Sequence, residues 1–145
     1  MAIYTSRFSN PELKKDIYTT VRISIGMPRW KLGYRLDWEI SQLMPFGMRG
    51  GQYEADKEHF KKAYFARLDK IGVATIREQL ARIPTRGTHI VLLCYEDILK
   101  NEGNWCHRTM FAEWWLERTG EKIEELPDPT IKIVSRPGYE QMTLF

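Results

Sequence analysis

Polar and apolar positions change their period several times along this chain, and each change marks an element. Residues 17–25 (Ile-Tyr-Thr-Thr-Val-Arg-Ile-Ser-Ile) are rich in β-branched side chains and predict a strand, after a shorter β-prone start at residues 2–6. Gly26-Met27-Pro28 ends that strand, because proline cannot continue a central ladder. Regularity is then lost from residue 29 to residue 51, where Trp30, Tyr34, Trp38, Phe46, Pro45 and Gly50-Gly51 fall. An aromatic and basic loop of this kind, following a strand, either builds a cleft or simply covers the sheet.

Helical spacing returns at Phe60, Ala63, Tyr64, Leu68 and Ile71, and again at Val73, Ile76, Leu80 and Ile83. Gly72 separates these two helices and Pro84 stops the second. Residues 89–95 (His-Ile-Val-Leu-Leu-Cys-Tyr) form a near-continuous apolar run, the pattern of a parallel strand buried on both faces. A helix over 106–118 carries the stripe Met110, Phe111, Trp114 and Trp115 and ends at Gly120. Short strands are predicted at 122–126 and 130–135, around Pro127-Asp128-Pro129. The order implies an α/β class: a single-domain open, mostly parallel sheet with helices on its faces, over residues 1–135. Residues 136–145 read as a C-terminal tail.

Composition changes this picture little. With 145 residues, 43% hydrophobic and 28% charged, the chain has the size and balance of one domain with a real core. No apolar run approaches the ~20 residues needed to span a bilayer, and the first residues lack a signal-peptide pattern. Two cysteines are too few for a disulfide scaffold, so a cytoplasmic location is expected, with no membrane partner. Charge is informative in its distribution: residues 17–36 hold no acid, yet contain Arg22, Arg29, Lys31 and Arg35. That bias suits a phosphate or another anion, or else a solvated basic face.

Candidate chemistry gathers where the buried strand ends, at Cys94-Tyr95-Glu96-Asp97, and where the next helix begins, at Cys106-His107-Arg108. In an open α/β sheet both places lie beyond the carboxyl ends of the strands, where ligands bind. Each residue also has a plain structural reading. Cys94 and Cys106 can be packed thiols, His107 can be structural, and Glu96 and Arg108 can pair with each other. As a group, Glu96, Cys106, His107 and Cys94 are the candidate catalytic residues. A Cys106 thiolate at a helix start suits nucleophilic catalysis, and Glu96 with Asp97 suits acid–base work such as glycosidic cleavage. Cys94 with Cys106 can form a redox pair. Zinc is a further option, but adjacent Cys-His ligands look like poor geometry for one ion, so no metal and no cofactor are expected.

Leu92-Leu93-Cys94-Tyr95-Glu96, the Cys106-His107-Arg108 triplet and Ala112-Glu113-Trp114 resemble the bacterial family known as domain of unknown function 488. The resemblance spans roughly residues 1–126 and includes Arg22, Pro28-Arg29-Trp30, Phe60 and Tyr64. It implies an α/β sheet with a shared pocket and carries no established reaction. The terminal Gln141-Met142-Thr143-Leu144-Phe145 resembles the peptide with which bacterial replication and repair proteins dock on the DNA sliding clamp. There Leu144 and Phe145 would fill an apolar pocket and the Gln141 amide would bond at its rim. Met142 and Thr143 depart mildly from that pattern; a tail folded back over the sheet is the alternative.

Together these features predict a nucleic-acid- or nucleotide-associated protein, an enzyme with acid–base or nucleophilic chemistry, with DNA or a nucleotide and a sliding clamp as partners. Arg22, Arg29 and Lys31 would hold phosphate, Trp30 and Tyr34 would stack a base, and Arg108 would bind substrate. A non-catalytic anion-binding or adaptor module is the alternative, and a thiol redox protein is a third.

Overall fold

The computed structural model describes residues 2–48, 56–85, 87–95 and 106–130. Five strands form one all-parallel sheet: β1 (Ala2–Arg7), β2 (Tyr18–Arg22), β3 (Trp38–Glu39), β4 (His89–Cys94) and β5 (Glu124–Glu125). Their order across the sheet is β3-β2-β4-β1-β5. The apolar run of β4 lies between β1 and β2, pairing Ile3 with Ile90 on one side and Val21 with Leu92 on the other. A strand with neighbours on both sides and cover on both faces has no solvated face. Its sequence therefore shows no alternation.

Three helices follow the predicted periods: α1 (Lys57–Ile71), α2 (Val73–Ala81) and α3 (His107–Thr119). The Asp56 side chain caps α1 by accepting from the His59 amide at 3.1 Å, which satisfies one of the amides that the first turn leaves unpaired. Phe60, Tyr64 and Leu68 of α1, Ile76 and Leu80 of α2, and Met110, Phe111, Trp114 and Trp115 of α3 enter one core with Val21, Ile23, Ile90 and Leu92. All three helices thus pack on one face of the sheet.

The other face has a different cover. Phe8, Tyr18, Val91 and Leu93 pack there against Leu13, from a 3-10 turn at Pro11–Lys14, and against Leu32, Tyr34 and Leu36. The irregular loop after β2 is therefore the second layer of the domain, and it hides apolar sheet surface that a helix would otherwise hide. Within the loop region, Trp38–Glu39 adds a strand that periodicity did not predict. The predicted strand at 130–135 lies outside the described residues beyond Thr130, as does the tail at 136–145. Among the described residues no helix is long and apolar enough to cross a membrane.

Candidate functional site at the carboxyl edge of the sheet

Strand β4 ends in Cys94, and its alternation directs that side chain to the helix-covered face, since Ile90 and Leu92 share that parity. Helix α3 begins above it. Cys106 is the N-cap, in extended conformation (φ −147°, ψ 151°), and His107 is the first helical residue. Ser, Thr, Asp and Asn fill N-caps best, because a side-chain oxygen there accepts from the first turn. Cys106 makes no such bond. A weak capper at this position is a local inconsistency of the kind that functional sites carry.

The two sulfurs meet, joining Cys94 and Cys106 in a disulfide whose Cα atoms stand 7.5 Å apart. That separation exceeds the usual 4.4–6.8 Å span of such bridges. Both residues are enclosed, Cys94 at 0% and Cys106 at 2% exposure. Two cations or would-be cations flank the pair. The Cys106 sulfur lies 3.7 Å from Nδ1 of His107, and Arg108 Nη1 donates to the Cys94 sulfur at 3.2 Å.

His107 is held by its other ring nitrogen. Nε2 sits 2.6 Å from the Ile23 carbonyl oxygen, which can only accept, so Nε2 carries the proton and Nδ1 presents a lone pair to the sulfurs. Burial pushes the imidazole pKa down to about 4, against the opposing pull of the Ile23 carbonyl and with a smaller contribution from Arg108. Tyr64 meets the ring edge-on, with centroids 5.6 Å apart. The histidine is thus neutral at physiological pH, with its tautomer fixed by the backbone.

Arg108 is 1% exposed, and its charge is met on the opposite side from Cys94. Its Nε and Nη2 donate to the Glu125 carboxylate at 2.9–3.3 Å, and Thr5 Oγ1 donates to the same carboxylate at 2.7 Å. One side chain therefore ties α3 to β5 and β1 while leaving Nη1 for the sulfur. Sequence reasoning missed Glu125 and Thr5 as partners. The available signal was a Glu-Glu pair inside a predicted strand, where an acid needs a reason.

The remaining candidates spread around the same edge. Arg22 pairs in register with Leu93, so it faces the loop-covered side, away from Cys94. Its Nη1 donates to the carbonyls of Ser24 and Ile25 at 3.0 and 2.6 Å, and its Nη2 donates to Glu39 at 3.1 Å. It therefore organises the turn after β2. Tyr34 is committed as well: its hydroxyl donates to the Phe8 carbonyl at 2.6 Å, and burial raises its pKa well above the ordinary range. Arg29, Trp30 and Lys31 are exposed. Trp30 lies edge-on to Tyr95, centroids 5.9 Å apart, which brings the loop to the residue that follows Cys94. Glu96 and Asp97 lie outside the described residues, as do Gln141, Leu144 and Phe145 of the tail.

Chemically, the arrangement offers two soft sulfur donors, one oriented imidazole nitrogen and one guanidinium that favours thiolate at Cys94. No family model, curated protein or solved structure matches the chain, so the fold and this side-chain cluster are what bear on its function.

Proposed function

We propose that the chain works through a dithiol–disulfide centre at Cys94 and Cys106, with a small thiol as its co-reactant. The convergence of the two buried cysteine side chains from the end of β4 and the start of α3 carries this reading. Arg108 gives the pair a direction. A guanidinium 3.2 Å from the Cys94 sulfur stabilises its thiolate, and the more stable thiolate leaves faster in exchange. An incoming thiolate therefore attacks the Cys106 sulfur, forms a mixed disulfide there and expels Cys94 as thiolate. A second small thiolate resolves the mixed disulfide. Protein disulfide and two small thiols become protein dithiol and one small disulfide. Enclosure of both sulfurs restricts the co-reactant to a small molecule.

A second reading concerns what binds beside the centre. Arg29, Trp30 and Lys31 are exposed on the loop that reaches Tyr95, and this supports a nucleotide or single-stranded nucleic acid held by charge and stacking.

Reduced glutathione tests the first reading. Native Cys94→Ser protein treated with oxidised glutathione should show the adduct on Cys106 by peptide mass, and wild-type protein incubated with excess reduced glutathione should lose its disulfide without unfolding. A bridge that resists glutathione in the native state and opens only in denaturant would make it structural and reject the reading. For the second, labelled oligonucleotide binding should weaken steeply with salt and be lost in Trp30→Ala with Lys31→Ala. Unchanged affinity in the double variant would remove the loop as a binding surface.

A further inference from the structure

We propose that in the dithiol state Cys94 Sγ, Cys106 Sγ and His107 Nδ1 bind one zinc ion. The inference rests on the same cysteine pair as the dithiol reading and adds a ligand to it. The three donor atoms all lie within 4.8 Å of one another, and each residue is buried. Zinc–sulfur and zinc–nitrogen bonds of about 2.3 and 2.05 Å at a tetrahedral angle put a sulfur and a nitrogen about 3.6 Å apart. The Cys106 sulfur and His107 Nδ1 are 3.7 Å apart.

The adjacency of Cys106 and His107, unpromising in the sequence, is resolved by the helix boundary. The backbone changes from extended at Cys106 to helical at His107, and this swings consecutive side chains toward one point. A second observation is independent of the cluster. His107 donates Nε2–H to the Ile23 carbonyl, the arrangement in which a backbone oxygen fixes the tautomer and aims the other nitrogen at a metal. A third is the 7.5 Å between the two Cα atoms, which is wide for a disulfide and leaves room for an ion between separated thiolates. Arg108, donating to the Cys94 sulfur, favours the thiolate form that a metal requires.

Thiolates and an imidazole select zinc over magnesium or calcium, which take oxygen ligands. Two cysteines and one histidine supply three protein ligands, the number found where a fourth position is left for water or substrate. Binding displaces the thiol protons and needs both sulfurs, so zinc and the disulfide exclude each other.

The test uses full-length protein reduced with a phosphine and kept free of oxygen, titrated with cobalt as a spectroscopic probe and then with zinc. One equivalent of cobalt should produce a thiolate charge-transfer band and tetrahedral visible bands, and zinc should bleach both. His107→Gln should weaken binding at least tenfold, Cys106→Ser should abolish the charge-transfer band or halve it, and protein left oxidised should bind nothing. Reduced protein whose circular dichroism is native and which takes up no cobalt would overturn the proposal. So would cobalt binding unaffected by His107→Gln, since the assigned ligand set would then be wrong. Should zinc bind while glutathione leaves the disulfide untouched in native protein, the redox reading falls and the metal site stands; exchange without metal uptake gives the converse.

Discussion

His107 makes folding sensitive to acid. Its ordinary pKa of 6.5 is lowered to about 4 in the fold, so between these values the unfolded chain binds a proton that the folded chain refuses. The contribution is complete above pH 6.5 and is lost as pH falls toward 4. A shift of this size is worth about 2–3 kcal/mol by pH 4.5. Among the described residues, the groups against the ring, namely Tyr64, Arg108 and the cysteine pair, offer no carboxylate to compensate an imidazolium. Urea unfolding at pH 7 and pH 4.5 should show a smaller acid loss in His107→Gln than in wild type, and equal losses would refute the assignment. Arg108→Met is a second test at this scale. It keeps much of the volume and strands the Glu125 carboxylate, which is 23% exposed and therefore partly hydrated. A cost of roughly 2–3 kcal/mol is expected, below that of a fully buried pair, with part recovered when Glu125→Gln is added. Much of this was legible from Cys94, Cys106, His107 and Arg108 as residue types. The aim of each side chain was not. Arg22 turns to the other face because its register partner is Leu93 and not Cys94, and register cannot be read from one strand alone.

Elements place the site by how they start and stop. Strand β4 is launched against β2 by Gly87, whose φ of +86° few other residues adopt. A Cβ there would lie 2.6 Å from the carbonyl carbon and oxygen of Ile17. That same oxygen accepts from the amides of Thr88 and His89 at 3.0 and 3.1 Å. Gly87→Ala must therefore push apart the two strands that it aligns, at an expected cost of about 2–4 kcal/mol in chemical denaturation. Gly47 is the control: its φ is +80°, but nothing lies within 4 Å of an added Cβ, so Gly47→Ala should cost only about 1 kcal/mol. Similar losses at the two positions would show that the close approach does not matter. The helices and long strands were readable because many residues share one period. Trp38–Glu39 was not, because two exposed residues have no period, and only Val21 and Arg22 opposite make them a strand.

Across the whole molecule, two covers of different kind share one sheet. Three helices bury one face with Trp114, Phe111 and Leu68, whereas the other is sealed by a turn and an irregular loop. The sequence showed the cleft-forming look of that loop in Trp30 and Tyr34, but its aromatic and aliphatic residues also serve as core: Tyr34 closes over Phe8. Hydrogen exchange should separate the layers of stability. Amides of β4 and their partners in β1 and β2 should exchange only by global unfolding, while the two-residue strands β3 and β5 at the edges open locally and faster. Uniform protection across all five strands would contradict this.

The strand order β3-β2-β4-β1-β5 has a consequence for the chain as it is made. Strands β1 and β2 are synthesised early, yet neither touches the other; both pair with β4, which is completed only at Cys94. Until then a ribosome-bound chain has two strands with unsatisfied edges and only the short β3 to pair with β2. Most ladder contacts span more than 60 residues of sequence, and such non-local pairing forms late because the loop-closure entropy comes before the contacts that offset it. A nascent chain stalled before β4 leaves the exit tunnel should therefore remain protease-sensitive, and protection should appear abruptly once β4 emerges. The residue that closes the ladder is also the first sulfur of the site, so completion of the central strand and placement of that sulfur are one event.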